Sequence, residues 1–551
     1  MKKIFDVSRF LGYVIRVSPQ EVKIHFPSSK LLNEFRYDGT CFNGATVGNY
    51  VVIEGIKNGF LARITDLCLP DSERKAIDEK AIHESDSIFH PIASAELLLS
   101  FDLYSPDKFE KTAARFPPIG AKVFACSMEQ LGKYIKTFGC QDDDQKNIFE
   151  EIGSLISFDL PCEVSINSIF NRHCAVVGTT GGGKSWTVAR LLENLLSATN
   201  NKVILVDATG EYSNELFVNS VVGQDSFFDC KYLSNADFCL LFQENSPNTV
   251  AALCDAIHSL KLITLVPEKF SGQKVGKSPS YIQDLLHAHI HQFANLSFDL
   301  SKLPQQIENE CVKNNGRDHF ELDSFKLGYC SHLITRINLF LHNAVFTTAL
   351  GINHASGMRN IIDVINEFLL SNDRILRLGF EALPFEFSVR EVIVNFIAGH
   401  LLKEARKHVF CDKPLLLFID EAHQFTNKRV NAEDATTFSL DNIDSIAKEC
   451  RKYGLFLCLS TQMPRDIPIG TLSQIGTFIV HRLINDQDRK TIESACSSVS
   501  RASLAMLPVL GAGEALLLGV DFPMPLTLKI KAPTCRPNSK TPSLTRKCDR
   551  T

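Results

Sequence analysis

Short stretches rich in apolar residues, separated by turn residues such as Ser18-Pro19-Gln20, mark the first part of the chain: Gly12–Val17, Glu21–Phe26, Tyr50–Ile53, Phe60–Ile64 and Gly120–Ala125. In Glu21–Phe26 apolar and polar residues alternate, as in a half-exposed strand. Several short strands with turn signals between them predict a small β-barrel, which we assign to residues 1–135. Because strand edges are available there and no catalytic group is visible, we expect the barrel to dock a partner protein.

Beyond residue 150 the pattern changes to unbroken apolar runs, which are typical of strands buried on both faces of a parallel sheet. These runs are Cys174–Val177, Lys202–Asp207, Leu415–Ile419 and Gly454–Thr461, and Ile375–Leu378 is a further core strand signal. Between them, apolar residues recur at helical spacing, as in Thr249–Leu265 and Ile282–Phe293. The sequence therefore predicts an α/β core in two parts, residues 136–239 and 373–530, separated by a helical insertion at residues 240–372.

Composition and charge narrow the class of protein. The chain has 551 residues, of which 44% are hydrophobic and 22% charged, as in ordinary soluble globular proteins. The net charge of −5 argues against a generally cationic surface, although a local basic groove is compatible with it. The 17 cysteines are scattered, a usage that favours a reducing cytoplasm over a disulfide framework. No apolar run reaches the length of a membrane span, so we expect a cytoplasmic protein without membrane contact.

A glycine-rich segment between an apolar strand and a helical stretch carries the strongest chemical signal. In the pattern Gly-x-x-x-x-Gly-Lys-Ser, backbone N–H groups surround a phosphate, the lysine reaches its outer oxygens, and the serine hydroxyl binds Mg²⁺. We therefore predict ATP and Mg²⁺ as ligands of Gly178, Thr179, Thr180, Gly181, Gly182, Gly183, Lys184, Ser185 and the helix residue Trp186. The alternative is a glycine-rich turn that carries a surface lysine.

Two later strands end in polar residues. Asp420 and Glu421 follow Leu415–Ile419, and we predict that the Asp420 carboxylate binds Mg²⁺ while Glu421 acts as general base toward water. Gln462 ends the next apolar strand, and the carboxyl ends of parallel strands meet at one sheet edge. Its amide is therefore predicted to contact the γ-phosphate or the attacking water. The alternatives are that the acids cap the following helix and that Gln462 caps a turn.

The phosphate loop and further segments occur in one order along the chain: Asp207–Tyr212, Phe418–Phe425, Glu449–Gly454, Ser460–Pro464, Leu507–Glu514 and Pro537–Pro542. This set resembles the HerA family of hexameric DNA-translocating ATPases, which are related to FtsK, and the resemblance covers roughly residues 5–545. Two departures stand out. Gly182 occupies a position where the family often has serine, and Thr426–Asp441 is longer than usual, which suggests a partner-specific loop.

The resemblance implies a homohexameric ring of RecA-like domains that hydrolyses ATP and translocates double-stranded DNA, often for a partner nuclease or another effector. It also implies an arginine that reaches the nucleotide of the adjacent subunit, with Arg451 as first candidate and Arg482 as second. Arg172, Asp207 and Glu211 are further candidates for contacts to nucleotide or Mg²⁺. The alternative for the arginines is a surface ion pair, and for the acids a helix cap.

Three features leave alternatives open. The ring can act chiefly as a motor, or chiefly as an ATP-gated scaffold that activates a nuclease or a sirtuin-like NAD-hydrolysing partner in phage defence. His287, His289 and His291 form a cluster compatible with a metal, although solvated helix histidines are the expected reading. The basic tail at residues 531–551 is expected to be disordered by itself, and DNA phosphates or a neighbouring subunit's nucleotide are its suggested contacts.

Overall fold

The computed structural model describes residues 4–19, 21–37, 40–42, 44–71, 89–104, 109–111, 115–137, 147–156, 160–316, 318–426, 429–431, 437–496 and 501–538. The chain forms two compact units. The first comprises Met1–Thr199 and Ser473–Arg536, and the second comprises Asn200–Leu472 and Pro537–Thr551. Both units are discontinuous in sequence, since the chain leaves the first after Thr199 and returns to it at Ser473.

Six antiparallel strands of the first unit close into a barrel: Phe10–Val17, Val22–His25, Tyr50–Glu54, Asn58–Cys68, Ile92–Asp102 and Lys122–Ala125. Closure depends on the pairing of the second strand with the fifth, in which Val22 lies opposite Ala95. Alternate side chains such as Val22 and Ile24 fill the interior. The predicted barrel is confirmed, although the sequence pattern did not single out its strand Ile92–Asp102.

Smaller elements accompany the barrel. Phe109–Lys111 pairs with the edge of Ile92–Asp102, and Phe35–Tyr37 forms a separate hairpin with Thr40–Phe42. Helix Met128–Thr137 follows the last barrel strand. The barrel closes without these elements.

A second sheet of the first unit carries the strand before the phosphate loop. Cys174–Val177 pairs in parallel with Thr477–Val480, and four antiparallel strands continue the sheet: Glu514–Gly519, Phe522–Ile530, Phe149–Leu155 and Leu160–Ser165. The helices of this part are Ile166–Phe170, Lys184–Ala198, Asp486–Ala495 and Arg501–Ala505. Its antiparallel strands come from both chain segments of the unit, so this sheet needs long-range pairing that no local pattern encodes.

Arg63 ties the barrel to the helices of the same unit. Its side chain is almost fully buried, donates a 2.5 Å hydrogen bond to the Ser503 hydroxyl and forms a 3.3 Å ion pair with Glu96. A buried charge is tolerated only when it is paired and hydrogen-bonded, so this contact fixes how the barrel meets the rest of the unit.

The second unit is built on five parallel strands, in the order Leu455–Thr461, Leu415–Ile419, Lys202–Asp207, Ile375–Gly379 and Val218–Val221. Nearly all residues of the central three strands are buried, which explains why these strands are predominantly apolar. The helices around this sheet are Asn235–Leu241, Val389–Arg406, Asn442–Glu449 and Ile469–Leu472, and two short strand pairs accompany them: Ser226–Phe227 with Arg359–Asn360, and Arg429–Asn431 with Thr437–Ser439.

The predicted helical insertion is confirmed in the same unit. Its helices are Pro247–Leu265, Pro279–His289, Leu303–Glu310, Ser324–His342, Ala344–Ala349 and Ile361–Leu370, with the hairpin Val312–Asn314 and Phe320–Leu322 between them. A buried ion pair of Lys274 with Glu310 lies inside the insertion, and Ser259 and Gln306 donate hydrogen bonds of 2.6 and 2.8 Å to Glu310. No helix in the described ranges combines the length and apolarity that crossing a membrane requires.

Candidate nucleotide-binding and catalytic site

The phosphate loop connects the strand Cys174–Val177 to the helix Lys184–Ala198 in the first unit. Gly181 and Gly183 adopt φ values of +73° and +113°, a conformation that residues with a Cβ rarely reach. A Cβ on Gly178 would lie 2.5 Å from the Cβ of His481. Glycine is therefore required at 181 and 183 by the backbone conformation and at 178 by the close approach of His481.

Lys184 and Ser185 stand in the first turn of the helix, where unpaired N–H groups and the helix dipole favour an anion. The Lys184 ammonium lies 3.5 Å from the Thr179 carbonyl oxygen, so the charge stays over the loop. Thr179 donates through its N–H and its hydroxyl to the Arg482 carbonyl oxygen, at 3.0 and 3.2 Å. Gly182 and the more exposed Thr180 complete the loop.

His481 packs against the phosphate loop, although no pattern in the sequence pointed to this residue. Its Nδ1 lies 2.8 Å from the Glu514 carbonyl oxygen and its Nε2 lies 2.8 Å from the Thr187 hydroxyl. Because a carbonyl oxygen only accepts, Nδ1 carries the proton and Nε2 accepts from Thr187. Burial lowers the pKa of His481 to about 4, and the Lys184 charge acts in the same direction. The neutral imidazole of His481 therefore stabilises the phosphate loop through hydrogen bonds on both ring nitrogens.

Three other predicted residues of the first unit, Trp186, Arg482 and Arg172, differ in their surroundings. Trp186 follows Ser185 and is 36% exposed. Arg482 is joined to the loop through its backbone, and its Nε is buried with no hydrogen-bond partner in the described part of the chain. Arg172 precedes the loop strand and forms a 3.6 Å ion pair with Asp521, in line with the surface-pair alternative.

The acidic residues lie at the end of the strand Leu415–Ile419 in the second unit. Asp420 is almost fully buried, and burial together with the adjacent charge of Glu421 raises the pKa of Asp420 to about 7. Glu421 has a φ of +47°, a left-handed conformation that is costly for a residue with a side chain. Strain and an unfavourable buried charge thus coincide at two neighbouring residues, which is typical of functional sites.

Glu421 has two carboxylate oxygens in different surroundings. Oε1 accepts a hydrogen bond from the Gln462 amide. Oε2 is buried, lies 3.4 Å from Nδ1 of His423, and has no hydrogen-bond partner within the described ranges. His423 also lies 3.2 Å from the Thr461 hydroxyl. The structure therefore brings Asp420, Glu421 and Gln462 together, as the sequence predicted, and adds His423.

Asp207 accepts hydrogen bonds from the turn that follows its strand, in line with the capping alternative. Its carboxylate accepts N–H groups of the following turn, at 2.8 Å from Gly210, 3.2 Å from Glu211 and 3.0 Å from Tyr212. The buried Arg377 donates to Asp207 at 2.7 Å and also pairs with Glu381. The Asp207 oxygens are thus occupied by a backbone cap and an ion pair. In the sequence, Arg377 interrupts an apolar strand, and a charged residue at such a position indicates a buried ion pair.

Glu211 and Arg451 are less constrained. One carboxylate oxygen of Glu211 is buried without a hydrogen-bond partner among the described residues, and its carbonyl oxygen accepts the Asn538 N–H at 2.7 Å. Arg451 lies in the 3₁₀ turn Cys450–Tyr453 and is exposed to solvent. An exposed arginine is free to reach another molecule, which is what a finger in trans requires.

The histidine cluster and the tail complete the candidates. His287 and His291 are exposed on and after the helix Pro279–His289, in line with solvated side chains. The start of the tail differs from the expected disorder, because residues 531–538 form hydrogen bonds with the two units to which they belong. Lys540, Arg546, Lys547 and Arg550 lie outside the described residues.

A phosphate-binding loop at a helix start and acidic residues at the end of a parallel strand are the two parts by which P-loop ATPases are recognised. This chain is a P-loop ATPase. Residues 150–317 match the family model for the central domain of helicase HerA, and residues 400–547 match the model for the HerA-like C-terminal region. The chain belongs to the HerA helicase family.

Individual relatives are distant in sequence but long in coverage. The probable DNA double-strand break repair helicase HerA of Methanocaldococcus jannaschii is 25% identical over 448 residues, which covers 71% of this chain and 79% of that protein. The DNA double-strand break repair helicase HerA of Sulfurisphaera tokodaii is 24% identical over 406 residues and 71% of each chain. The solved structure of VirB4 of Thermoanaerobacter pseudethanolicus has a TM-score of 0.45 at 14% identity and covers 72% of this chain and 98% of that one.

Proposed function

We propose that this chain is an ATP-driven DNA translocase of the helicase type. The observation that carries the chemical part is Glu421, a buried carboxylate with one oxygen held by Gln462 and the other without a hydrogen-bond partner in the described residues. A carboxylate so oriented can take a proton from an attacking water. DNA as the track is supported by family membership and by the relatives, whose names describe DNA double-strand break repair helicases.

In this proposal the phosphate loop and the acidic strand end have separate tasks. The loop N–H groups and Lys184 bind the phosphates and meet the charge that builds up during transfer. Gln462 keeps the Glu421 carboxylate oriented, and Glu421 accepts the proton of the water that attacks the γ-phosphate. His423, close to both Glu421 and Thr461, restricts the same carboxylate from the other side.

Mg²⁺ fits the donor groups that are present. Asp420 offers a carboxylate whose burial is unfavourable without a compensating cation, as its raised pKa indicates. Ser185 offers a hydroxyl at the start of the helix. These two residues would hold the ion, which neutralises phosphate charge when bound. ATP as the nucleotide and Mg²⁺ as the cation are part of the proposal.

We also propose that the active form is a ring, with six copies as the expected number. Arg451 would then supply a positive charge to the nucleotide of the neighbouring copy, and its exposure supports that assignment. Arg482 is better placed to act on its own phosphate loop, because its carbonyl oxygen is bound to Thr179. A nuclease or other effector as partner, the scaffold alternative and a defence role stay predictions.

The test uses the purified full chain. We expect ATP hydrolysis that increases several-fold with duplex DNA, and ATP-dependent displacement of a streptavidin block from biotinylated duplex. The Lys184→Ala variant is the control, and it should lose both activities while keeping its fold by circular dichroism. ATP hydrolysis indifferent to DNA, without block displacement, would contradict the motor and favour the scaffold. Light scattering with ATP and Mg²⁺ checks the ring, which a monomer at micromolar concentration would contradict.

A further inference from the structure

Trp186 is the only tryptophan of the chain, and it directly follows the phosphate-binding residues Lys184 and Ser185. Tryptophan is a large apolar side chain that usually gains from burial, yet this one is 36% exposed. The guanidinium carbon of Arg536 lies 5.5 Å from the centre of the indole ring, within the range of a cation–π contact. A partly exposed indole therefore directly follows the phosphate-binding residues, with a cation within cation–π distance of its ring.

Arg536 is held at this position by its neighbours in the first unit. The N–H of Cys535 donates a 2.7 Å hydrogen bond to the Glu193 carboxylate, on the same helix as Trp186. Lys531 forms an ion pair with Glu151 a few residues earlier. The segment that carries Arg536 is thus attached both to the helix, through Glu193, and to the strand Phe149–Leu155, through Glu151, so the cation–π contact does not depend on a single interaction.

We infer that Trp186 and Arg536 form the subsite for the base of a nucleoside triphosphate, an inference that rests on the proposed function. The loop and the first helical turn bind the phosphates, so the sugar and base leave the loop next to that turn. Trp186 is the aromatic residue of that turn. Stacking on aromatic rings is favourable for every base, and the guanidinium restricts the base to the open part of the ring. The subsite thus takes a flat heteroaromatic base and adds affinity without choosing sharply among bases.

The first experiment uses the single tryptophan as a reporter. ATP and inorganic tripolyphosphate share the phosphate chain, but only ATP carries a base. We expect ATP to change Trp186 fluorescence strongly and tripolyphosphate to change it weakly, although both bind the loop and compete with each other. Equal fluorescence changes from both ligands would contradict base stacking on Trp186.

The second experiment measures affinities by calorimetry on full-length variants. Trp186→Ala should weaken ATP and GTP at least about fivefold and leave tripolyphosphate unchanged, since stacking on an aromatic residue is lost. Trp186→Phe should restore most of the ATP affinity. Arg536→Ala should weaken ATP by a smaller factor, and the control Lys490→Ala, which removes an exposed cation of the same unit, should not.

The outcomes separate this inference from the proposed function. If Trp186→Ala weakens ATP and tripolyphosphate equally, Trp186 only supports the loop and the subsite is wrong. If neither variant of Trp186 changes ATP affinity, the base binds elsewhere. If the unmodified chain binds neither ATP nor tripolyphosphate, the proposed ATP-driven translocase is wrong, and the subsite is wrong with it.

Discussion

The phosphate loop and the acidic strand end differ in what holds them. The loop is fixed by backbone hydrogen bonds, by glycines in conformations that only they adopt easily, and by the neutral ring of His481. The acidic end contains a strained Glu421 and an Asp420 whose charge is disfavoured by burial. The phosphate loop is thus stabilised by its own contacts, whereas the acidic strand end has unfavourable features that a cation and a water would relieve.

This difference has a physical reason. A loop that binds phosphate must present N–H groups in advance, because any reorganisation would cost binding energy. A general base must instead have an oxygen that is not already satisfied, and its neighbours must keep that oxygen away from bulk water. Substitutions in the loop should therefore change affinity, and substitutions at the acidic end should change turnover.

The largest effect is expected for Glu421→Gln. The amide keeps the size of the side chain but cannot accept the proton, so turnover should fall about 10²–10⁴-fold while ATP affinity stays within a few-fold. Single-turnover hydrolysis and equilibrium binding measure the two quantities. Glu268→Gln, an exposed acid of the insertion, is the matched control. A variant that hydrolyses ATP within a few-fold of the unmodified chain would remove Glu421 from the role of base.

A second, somewhat smaller effect is expected for Arg451→Ala, at least a tenfold loss of hydrolysis with binding retained. If Arg451 acts on the neighbouring subunit, mixing this variant with Glu421→Gln should restore some activity, because some interfaces then join an intact Glu421 to an intact Arg451. Turnover is measured across mixing ratios after subunit exchange has been shown. Lys452→Ala, an exposed cation in the same turn, should have no such effect.

The outcome of mixing separates the two arginines. A mixture no more active than either variant, despite proven exchange, would mean that Arg451 acts within its own subunit or only structurally. Arg482 would then be the next candidate, and its attachment to the phosphate loop favours action in cis.

The smallest effect on activity is expected for His481→Asn, a few-fold loss of ATP affinity with little change in kcat, because the loop loses a support and no reacting group. The pKa of this buried imidazole is about 4 in the folded state, below the usual value of 6.5. As pH falls between these values, the unfolded chain takes up a proton that the folded chain does not, and stability decreases.

Thermal unfolding between pH 7 and pH 4.5 checks this. The unmodified chain should lose more stability on acidification than His481→Asn, which lacks the group. The exposed His287→Asn is the control and should keep the steep pH dependence. Parallel curves for all three proteins would show that His481 is not buried in the neutral form.

Some features were predictable because they are local. The glycine spacing, Lys184 and Ser185 encode a loop whose conformation depends on a few consecutive residues. The apolar run before Asp420 predicts a buried strand, and parallel strands place their ends at one edge, which brought Glu421 and Gln462 together. Helical spacing likewise identified the insertion.

Other features depend on residues far apart in sequence. His481 and Thr187 meet across 294 positions, and Arg377 and Asp207 across 170, so neither pair has a local signal. Barrel closure between Val22–His25 and Ile92–Asp102 is of the same kind. The sequence by itself determined the phosphate loop, the acidic strand end and the class of the fold, because spacing and periodicity act over short ranges. Only the tertiary structure decided which buried polar groups satisfy one another, since a hydrogen bond requires two atoms to be brought within about 3 Å by the whole fold.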